Sequence, residues 1–254
     1  MKSVSGKVYL VGAGPGAADL ITLRAAQLLA RADIVFYDAL VNADTVALAT
    51  RAEKVAVGKR CGRHSTAQRF INKRLIDAAA KFGTVVRLKG GDPMLFGRAQ
   101  EEIDALRAAG IEFEVVPGVT AALAASAALG IALTRRGTCR SVLLATPRAG
   151  KGERANDWAR GVCAADSAVL YMAAGQASDI ASALLARGMP AHTPVLIVEN
   201  ASLPTLRTDA MTLHEMQHLP PSEFKGPAVI MLGEAFRSAL IAARDDLSLI
   251  TAAG

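Results

Sequence analysis

Short apolar runs alternate with longer segments of helical spacing through the first half of the chain. The runs are rich in β-branched residues and four or five residues long, which is typical of buried strands. The segments between them repeat apolar residues every three or four positions, as amphipathic helices do. Such alternation predicts a parallel α/β unit. The predicted strands are 8–11, 34–37, 54–57, 84–88 and 113–116, and the predicted helices are 20–30, 65–80, a segment around Ile103 and Leu106, and 121–128.

A second α/β series follows in the C-terminal half, after the stretch 133–137 interrupts the alternation. We place the domain boundary near Gly118, which gives an N-terminal domain 1–118 and a C-terminal domain 119–254. The tail after Asp246 is expected to be weakly structured. The predicted strands here are 142–145, 169–172, 195–198 and 228–232, and the predicted helices are 176–187 and 236–244.

Two glycine turns follow predicted strands of the first domain. One is Gly12-Ala13-Gly14-Pro15-Gly16 and the other is Gly90-Gly91-Asp92-Pro93. Ligands of open α/β sheets bind outside the carboxyl ends of the strands, which is where both turns lie. The pair predicts a small-ligand crevice, although each turn alone could be an ordinary tight connection.

The first turn also comes close to the dinucleotide fingerprint G-x-G-x-x-G/A, with Ala17 in the last place and Asp38 after the second strand. A nicotinamide-dependent oxidoreductase is therefore one alternative. Against it, Pro15 has no N–H to donate to a pyrophosphate, and that donation is what such a loop provides.

Composition narrows the class of partner. The chain has a net charge of +6 and a sequence pI near 9.5, which favours an anionic partner. Aromatic residues make up only 4% of the chain and do not interleave with the arginines, so we expect no nucleic acid partner. A polyanionic metabolite fits the charge at least as well.

Hydropathy and cysteine usage indicate a cytoplasmic protein. Although 52% of the residues are hydrophobic, no apolar run approaches the roughly 20 residues of a membrane span. The first seven residues contain no signal-peptide core. The three cysteines, Cys61, Cys139 and Cys163, are widely spaced and are expected to be reduced thiols.

Cations are concentrated in two segments of the chain. The first segment is flanked by glycines in the first domain and could be an anion site or a solvated face. A second group, Arg135 and Arg136, lies in the interruption at 133–137. The first group consists of Lys59, Arg60, Arg63, His64 and Arg69.

The sequence His214-Glu215-Met216-Gln217-His218 matches the zinc-binding H-E-x-x-H of metalloproteases. However, Pro220 and Pro221 follow at once, so the helix can last barely two turns. We interpret the segment as a surface helix turn and expect no metal site.

Taken together, the motifs resemble the tetrapyrrole methylase family, and within it the group of uroporphyrinogen-III C-methyltransferases. The likeness extends over about 8–236. G-x-G-P-G marks the wider family, while the segments at 57–65 and 85–98 are more specific to this group. The matching segments are VGAGPG (11–16), ADIVFYDALV (32–41), VGKRCGRHS (57–65), VVRLKGGDPMLFGR (85–98), VVPGVTAA (115–122), LYM (170–172) and VEN (198–200).

The resemblance implies two α/β domains with a ligand cleft between them, a homodimer, and S-adenosylmethionine as methyl donor. It implies the conversion of uroporphyrinogen III to precorrin-2 by two successive methylations, in sirohaem or cobalamin biosynthesis. It also implies Asp38 as proton acceptor and Lys59 as proton donor. The implied cofactor contacts are Pro15, Gly90, Gly91, Asp92, Leu95, Thr120, Ala121, Met172 and Ala201.

The tetrapyrrole substrate carries several carboxylates, for which arginine forks are suited. The candidate substrate-binding residues are Arg60, Arg63, His64, Arg87, Arg98, Arg135 and Arg136, with Lys59 and Lys89 nearby in sequence.

The second domain departs from the family pattern at three places, Arg135-Arg136, Pro147-Arg148 and Ala201-Ser202. A methylase of a later corrinoid precursor and a non-catalytic tetrapyrrole or adenosylmethionine binder therefore remain alternatives.

Overall fold

The computed structural model describes residues 6–57, 68–150, 156–220 and 224–252, with side chains up to Asp245. The chain divides into two compact units, Met1–Ala121 and Ala122–Gly254. Each unit is built around one five-stranded sheet. None of the helices in the described ranges is both long and apolar enough to cross a membrane.

The sheet of the first unit is wholly parallel, with the strand order β3-β2-β4-β1-β5. Its inner strands β1, β2 and β4 are buried on both faces, as parallel strands covered by crossover helices are. The elements are β1 (Lys7–Gly12), α1 (Leu23–Arg31), β2 (Ile34–Tyr37), α2 (Ala43–Ala47), β3 (Glu53–Ala56), α3 (Gln68–Ala79), β4 (Thr84–Lys89), α4 (Ala99–Ala108) and β5 (Phe113–Val116).

Alternation along the strands divides this core into two layers. Val8 and Leu10 of β1 pack with α3 and α4, while Val11 packs with α1 and α2. In β4, Val85 lies on the α3–α4 face, so the period of two puts Arg87 and Lys89 on that same face. Two cations are thereby directed toward α4.

Strands β1 and β4 are neighbours in this sheet, but the helices that follow them cover opposite faces. The loop after β1 leads to α1 on one face, and the loop after β4 leads to α4 on the other. The two loops leave adjacent strand ends toward opposite faces, which is the point at which doubly wound sheets bind their ligands. Both predicted glycine turns lie at this point.

The second unit has a mixed sheet with the order β6-β7-β10-β8-β9, in which only the β6–β7 pair is parallel. Its apolar core is formed mainly by α7, α8 and the central strands. The elements are α5 (Ala121–Leu129), β6 (Val142–Ala145), α6 (Trp158–Ala164), β7 (Ser167–Tyr171), α7 (Ala177–Leu185), β8 (Pro194–Glu199), β9 (Arg207–Thr212), α8 (Leu213–Gln217), β10 (Ala228–Gly233) and α9 (Arg237–Ala252).

Several elements differ from the sequence-based expectation. Helix α1 begins at Leu23 rather than near Leu20, because the Thr22 hydroxyl caps it by accepting from the Ala25 N–H. The short elements α2, α6 and β9 were not predicted. The expectation of a weakly structured tail is wrong, since α9 continues to Ala252.

The H-E-x-x-H segment is a helix of five residues that follows strand β9 directly. The Glu215 carboxylate accepts from the Thr212 N–H and hydroxyl in a capping box and pairs with Arg244 at 2.9 Å. These contacts hold the pKa of Glu215 below its usual value, the Thr212 N–H contributing most. Glu215 thus serves as a helix cap. No cluster of three or more potential metal ligands occurs among the described residues.

Two edge strands, β3 and β9, carry charged side chains. Glu53 and Lys54 are exposed on β3, and Arg207 pairs with Asp209 on β9 at 2.8 Å. Charges on an edge discourage pairing with another chain.

The carboxyl ends of β1 and β5 approach so closely that Gly118 has no room for a side chain. A Cβ on Gly118 would lie 2.3 Å from the Gly91 carbonyl oxygen and 2.8 Å from Gly12 Cα. We expect Gly118→Ala to lower the free energy of unfolding by about 1–3 kcal/mol, the usual cost of overpacking. Urea titration followed by circular dichroism measures it.

Gly83→Ala is the matched control, because a Cβ there meets nothing closer than Asp33 Oδ2 at 3.6 Å. Equal stability of the two variants would contradict the close approach.

Candidate functional site

The candidate site of the first unit lies at the carboxyl edge of its sheet, where the two glycine turns meet. The Gly14 N–H donates to the Gly91 carbonyl at 3.3 Å, and the Gly91 N–H donates back to Gly14 at 2.7 Å. The Ala13 N–H also donates to the Lys89 carbonyl at 2.7 Å. The loops after β1 and β4 are thus joined by backbone hydrogen bonds beyond the ends of the strands.

Asp92 joins the loop after β4 to the loop after β5. Its Oδ2 accepts from the Gly118 N–H at 2.9 Å, and its Oδ1 accepts from the Met94 N–H at 2.8 Å. Three glycine-containing loops are therefore held together. We call the group of Gly12, Gly14, Gly91 and Gly118 the glycine cradle.

The cradle has one open side, at Gly91. This residue has φ of +67°, and among the described residues a Cβ built on it would meet only Thr120 Cα, at 4.0 Å. A ligand can thus approach the backbone there without displacing a side chain. The predicted cofactor contacts in this unit lie in the loops around the cradle and at the start of α5: Pro15, Gly90, Gly91, Asp92, Leu95, Thr120 and Ala121.

The predicted cofactor contacts in the second unit lie where the backbone is strained. Met172 follows β7 with φ of +56° and keeps 48% of its surface exposed. Ala201 is buried between Asn200 at φ +55° and Ser202 at φ +73°. Left-handed conformations of non-glycine residues cost about 1–3 kcal/mol and concentrate at ligand sites.

The turn around Ala201 is fixed by a buried glutamate that the sequence analysis did not select. Glu199 Oε1 accepts from the N–H groups of Lys225 and Gly226. A Cβ on Gly226 would lie 2.2 Å from Asn200 Oδ1, so the two segments pack without space between them.

Asp38, the predicted proton acceptor, follows β2 and retains 29% side-chain exposure. Arg87 Nη2 donates to its Oδ1 at 2.5 Å. Lys59, the predicted proton donor, lies outside the described residues, as do Arg60, Arg63 and His64.

Arg87 is placed differently from the expectation that it binds substrate. Its side chain is 2% exposed, and its Nε donates to Glu102 Oε1 at 3.0 Å. Its carboxylate partners are thus the chain's own Asp38 and Glu102. Burial by itself lowers the pKa of Arg87, but the two carboxylates outweigh burial and raise the pKa above its usual value.

Glu102 is the centre of this buried network and has no exposed surface. Its Oε1 also accepts from Gln68 Nε2 at 3.1 Å and from Lys89 Nζ at 3.2 Å. Its Oε2 lies 3.1 Å from Lys89 Nζ, yet it accepts no well-aligned hydrogen bond within the described residues, so this contact is an ion pair only. Burial, and then the charge of Arg87, lower the pKa of Lys89.

The other candidate substrate-binding residues within the described ranges are exposed. Arg98 forms a two-pronged pair with Glu101, at 2.6 and 2.8 Å, which holds the pKa of Glu101 below its usual value. Arg135 and Arg136 lie on a tight hairpin closed by two Arg135–Cys139 backbone hydrogen bonds of 2.8 Å.

The sequence did contain a signal for the network that was missed. Arg87 and Lys89 lie two residues apart in an otherwise apolar strand, so both face the same covered side. Buried cations require an anionic partner, and Glu102 of the acidic pair at the start of α4 supplies it.

Comparison with protein families identifies a model that matches most of the chain. The model of the Tetrapyrrole (Corrin/Porphyrin) Methylases matches residues 7–217. The siroheme synthase of Psychrobacter sp. is 44% identical over 240 residues, covering 92% of this chain and 48% of that protein. The chain therefore spans about half the length of the curated relatives it matches.

Solved structures show the same fold. Uroporphyrin-III C-methyl transferase from Thermus thermophilus, complexed with S-adenyl homocysteine, is 40% identical with a TM-score of 0.80, covering 92% of this chain and all of that one. A cobalt precorrin-4 methyltransferase is 28% identical with a TM-score of 0.75, covering 90% and 95%. The expected fold of two α/β domains is confirmed.

The adjacent residues Glu101 and Glu102 allow a test of the buried network. We expect Glu102→Gln to lower the free energy of unfolding by about 3–5 kcal/mol, because it leaves Arg87 and Lys89 buried with too little negative charge. Glu101→Gln removes only an exposed pair and should cost less than about 1 kcal/mol. Chemical denaturation of both variants measures the difference, and equal losses would argue against the network.

Proposed function

Because this chain belongs to the tetrapyrrole (corrin/porphyrin) methylase family, we propose that it transfers methyl groups from S-adenosylmethionine to carbon atoms of uroporphyrinogen III, producing precorrin-2 by two successive methylations. The observation that carries this proposal is the glycine cradle at the carboxyl ends of β1 and β4, where the strand order of the first sheet reverses. The proposal is supported by the 40% identity of this chain with a uroporphyrin-III C-methyl transferase complexed with S-adenyl homocysteine.

The cradle fits an adenosyl cofactor in its shape and in its chemistry. Its open side at Gly91 presents backbone rather than side chains, and the neighbouring loops supply N–H and C=O groups. The bound cofactor would supply an activated methyl group on a sulfonium. The chain's task is then to hold the two reactants in line, which can account for several kcal/mol of the barrier.

Asp38 is the proposed proton acceptor once the substrate carbon has been methylated. Its position at a strand end, its partial exposure and its contact with Arg87 suit a fixed carboxylate open to a ligand. Lys59 is proposed as the proton donor on the sequence resemblance alone.

The exposed arginines are proposed to bind substrate carboxylates. Arg98, Arg135 and Arg136 are exposed, and the net charge of +6 favours a polyanionic substrate. Arg87 is better assigned to Asp38 than to substrate, since it is buried. A homodimer in the cytoplasm is proposed from the resemblance.

A methylase of a later corrinoid precursor is the second candidate. It is favoured by the TM-score of 0.75 and 28% identity with a cobalt precorrin-4 methyltransferase.

A nicotinamide oxidoreductase is disfavoured further by the structure, because α1 begins at Leu23, seven residues after Gly16. A dinucleotide fold instead places the helix N-terminus directly at the glycine loop.

Incubation with uroporphyrinogen III and methyl-labelled S-adenosylmethionine tests the proposal. We expect a product with two added methyl groups, counted by mass spectrometry. A precorrin-4-type substrate serves as the parallel arm. Methylation in that arm alone would support the second candidate, and no methylation in either arm would leave a non-catalytic binder.

The position of the cofactor can be tested at Gly91. We expect Gly91→Val to weaken S-adenosylhomocysteine binding by about tenfold or more, because about 1.4 kcal/mol of steric conflict is enough for that change. Isothermal titration calorimetry measures the affinity.

Gly110→Val is the matched control. Gly110 has φ of +68°, and a Cβ there meets nothing within 4 Å, so the backbone strain is the same while the position is the end of α4. Equal affinities in the two folded variants would place the cofactor elsewhere.

A further inference from the structure

The network beneath Asp38 does more than neutralise buried charge. We propose that Arg87 is the positioning residue of Asp38, and that Glu102 holds Arg87 in the one orientation that serves this purpose. The inference rests on the proposed function, in which Asp38 accepts a proton.

Asp38 needs an external support to hold its orientation. It lies just beyond the last residue of β2, and within the described part of the chain its backbone N–H makes a long contact of 3.4 Å with the Leu88 carbonyl. With 29% of its side chain exposed, packing alone does not fix the carboxyl group. The hydrogen bond from Arg87 Nη2 fixes Oδ1, and thereby also the direction in which Oδ2 points.

Arg87 can act as a support because each nitrogen of its guanidinium is used. Nε donates to Glu102 Oε1, and Nη1 donates to the carbonyl oxygens of Leu88 at 3.1 Å and Phe36 at 3.4 Å. The planar fork therefore has one orientation, and Nη2 is directed at Asp38. A lysine would supply the charge but could not make these contacts at once.

Glu102 fixes Arg87 in turn. It receives hydrogen bonds from Arg87, Gln68 and Lys89 on one oxygen, which ties the first residue of α3 and the last residue of β4 to the first turn of α4. The cluster contains two cations and two carboxylates. Without the charge of Glu102, Arg87 and Lys89 lose the carboxylate that they share, and the hydrogen bond from Arg87 Nε is no longer made to a charged acceptor.

A network that only held α4 on the sheet would have a different kinetic signature. Its loss would reduce the fraction of folded protein, but it would not change turnover per folded molecule. Any effect it had would also be independent of Asp38. A positioning role makes the effect of Arg87 depend on Asp38, so the two substitutions are non-additive.

The experiment is a double-mutant cycle of Arg87→Lys and Asp38→Asn, with methyl transfer to uroporphyrinogen III measured per folded molecule. We expect Arg87→Lys to lower kcat about tenfold, which is part of the roughly 10²–10⁴-fold that an acid–base group contributes, while KM for either substrate changes less than about twofold. In the Asp38→Asn background the same substitution should lower kcat less than about twofold further. Circular dichroism and bound S-adenosylhomocysteine give the folded, competent fraction.

The control is Glu112→Gln, which removes an exposed partner of Lys7 in the same unit and should leave kcat unchanged. If Arg87→Lys does not fold, Glu102→Gln takes its place in the cycle, because it keeps the side-chain shape and removes the charge.

The outcomes separate the two proposals. A wild-type protein that transfers no methyl group overturns the proposed function and this inference with it. An active wild type whose Arg87 and Glu102 variants keep full kcat overturns the inference alone. So does a loss that is equally large with and without the Asp38 carboxylate.

Discussion

The close approach of three backbone segments at the carboxyl edge of the first sheet is the constraint on which the candidate site depends. Gly12 and Gly118 are near enough that neither tolerates a Cβ, and Gly14 and Gly91 exchange hydrogen bonds across the adjacent loops. The loops leave neighbouring strands toward opposite faces, and the absence of side chains at Gly12 and Gly118 allows their backbones to come this close. The backbone-lined wall of the candidate site is therefore a consequence of the strand order, in which neighbouring strands are followed by helices on opposite faces.

Two charged side chains are buried in β4, the strand that leads to this wall, and their burial costs desolvation free energy. Arg87 and Lys89 occupy positions in β4 that an ordinary parallel strand fills with aliphatic residues. Ion pairs so deeply buried seldom add stability over an apolar core, because desolvation offsets most of the attraction. Their presence beneath a partly exposed carboxylate is better explained by the orientation they impose than by the energy they contribute.

The sequence predicts the sheet of the first unit better than the sheet of the second. The parallel sheet of the first unit follows from its β-branched runs and intervening helical spacing, and both glycine turns lie where that fold predicts. The antiparallel pairings of the second unit could not be read in the same way, because strands such as Val195–Val198 are equally apolar in either direction. Strand β9 was missed because Arg207-Thr208-Asp209 is polar and lies at an edge. Glu102 and Glu199 were missed because a glutamate in a sequence gives no indication that it is buried until its partners are known.

The charges on the edge strands also affect how the chain folds. A parallel sheet forms from segments distant in sequence, so it assembles slowly and leaves strand edges uncovered for longer than a hairpin does. Glu53 and Lys54 put hydrated charge on β3, an edge of that parallel sheet, where an incoming strand from another molecule would have to strip it of water. On β9, an edge of the mixed sheet, the Arg207–Asp209 pair also discourages pairing with another molecule, and the same polarity made this strand hard to predict.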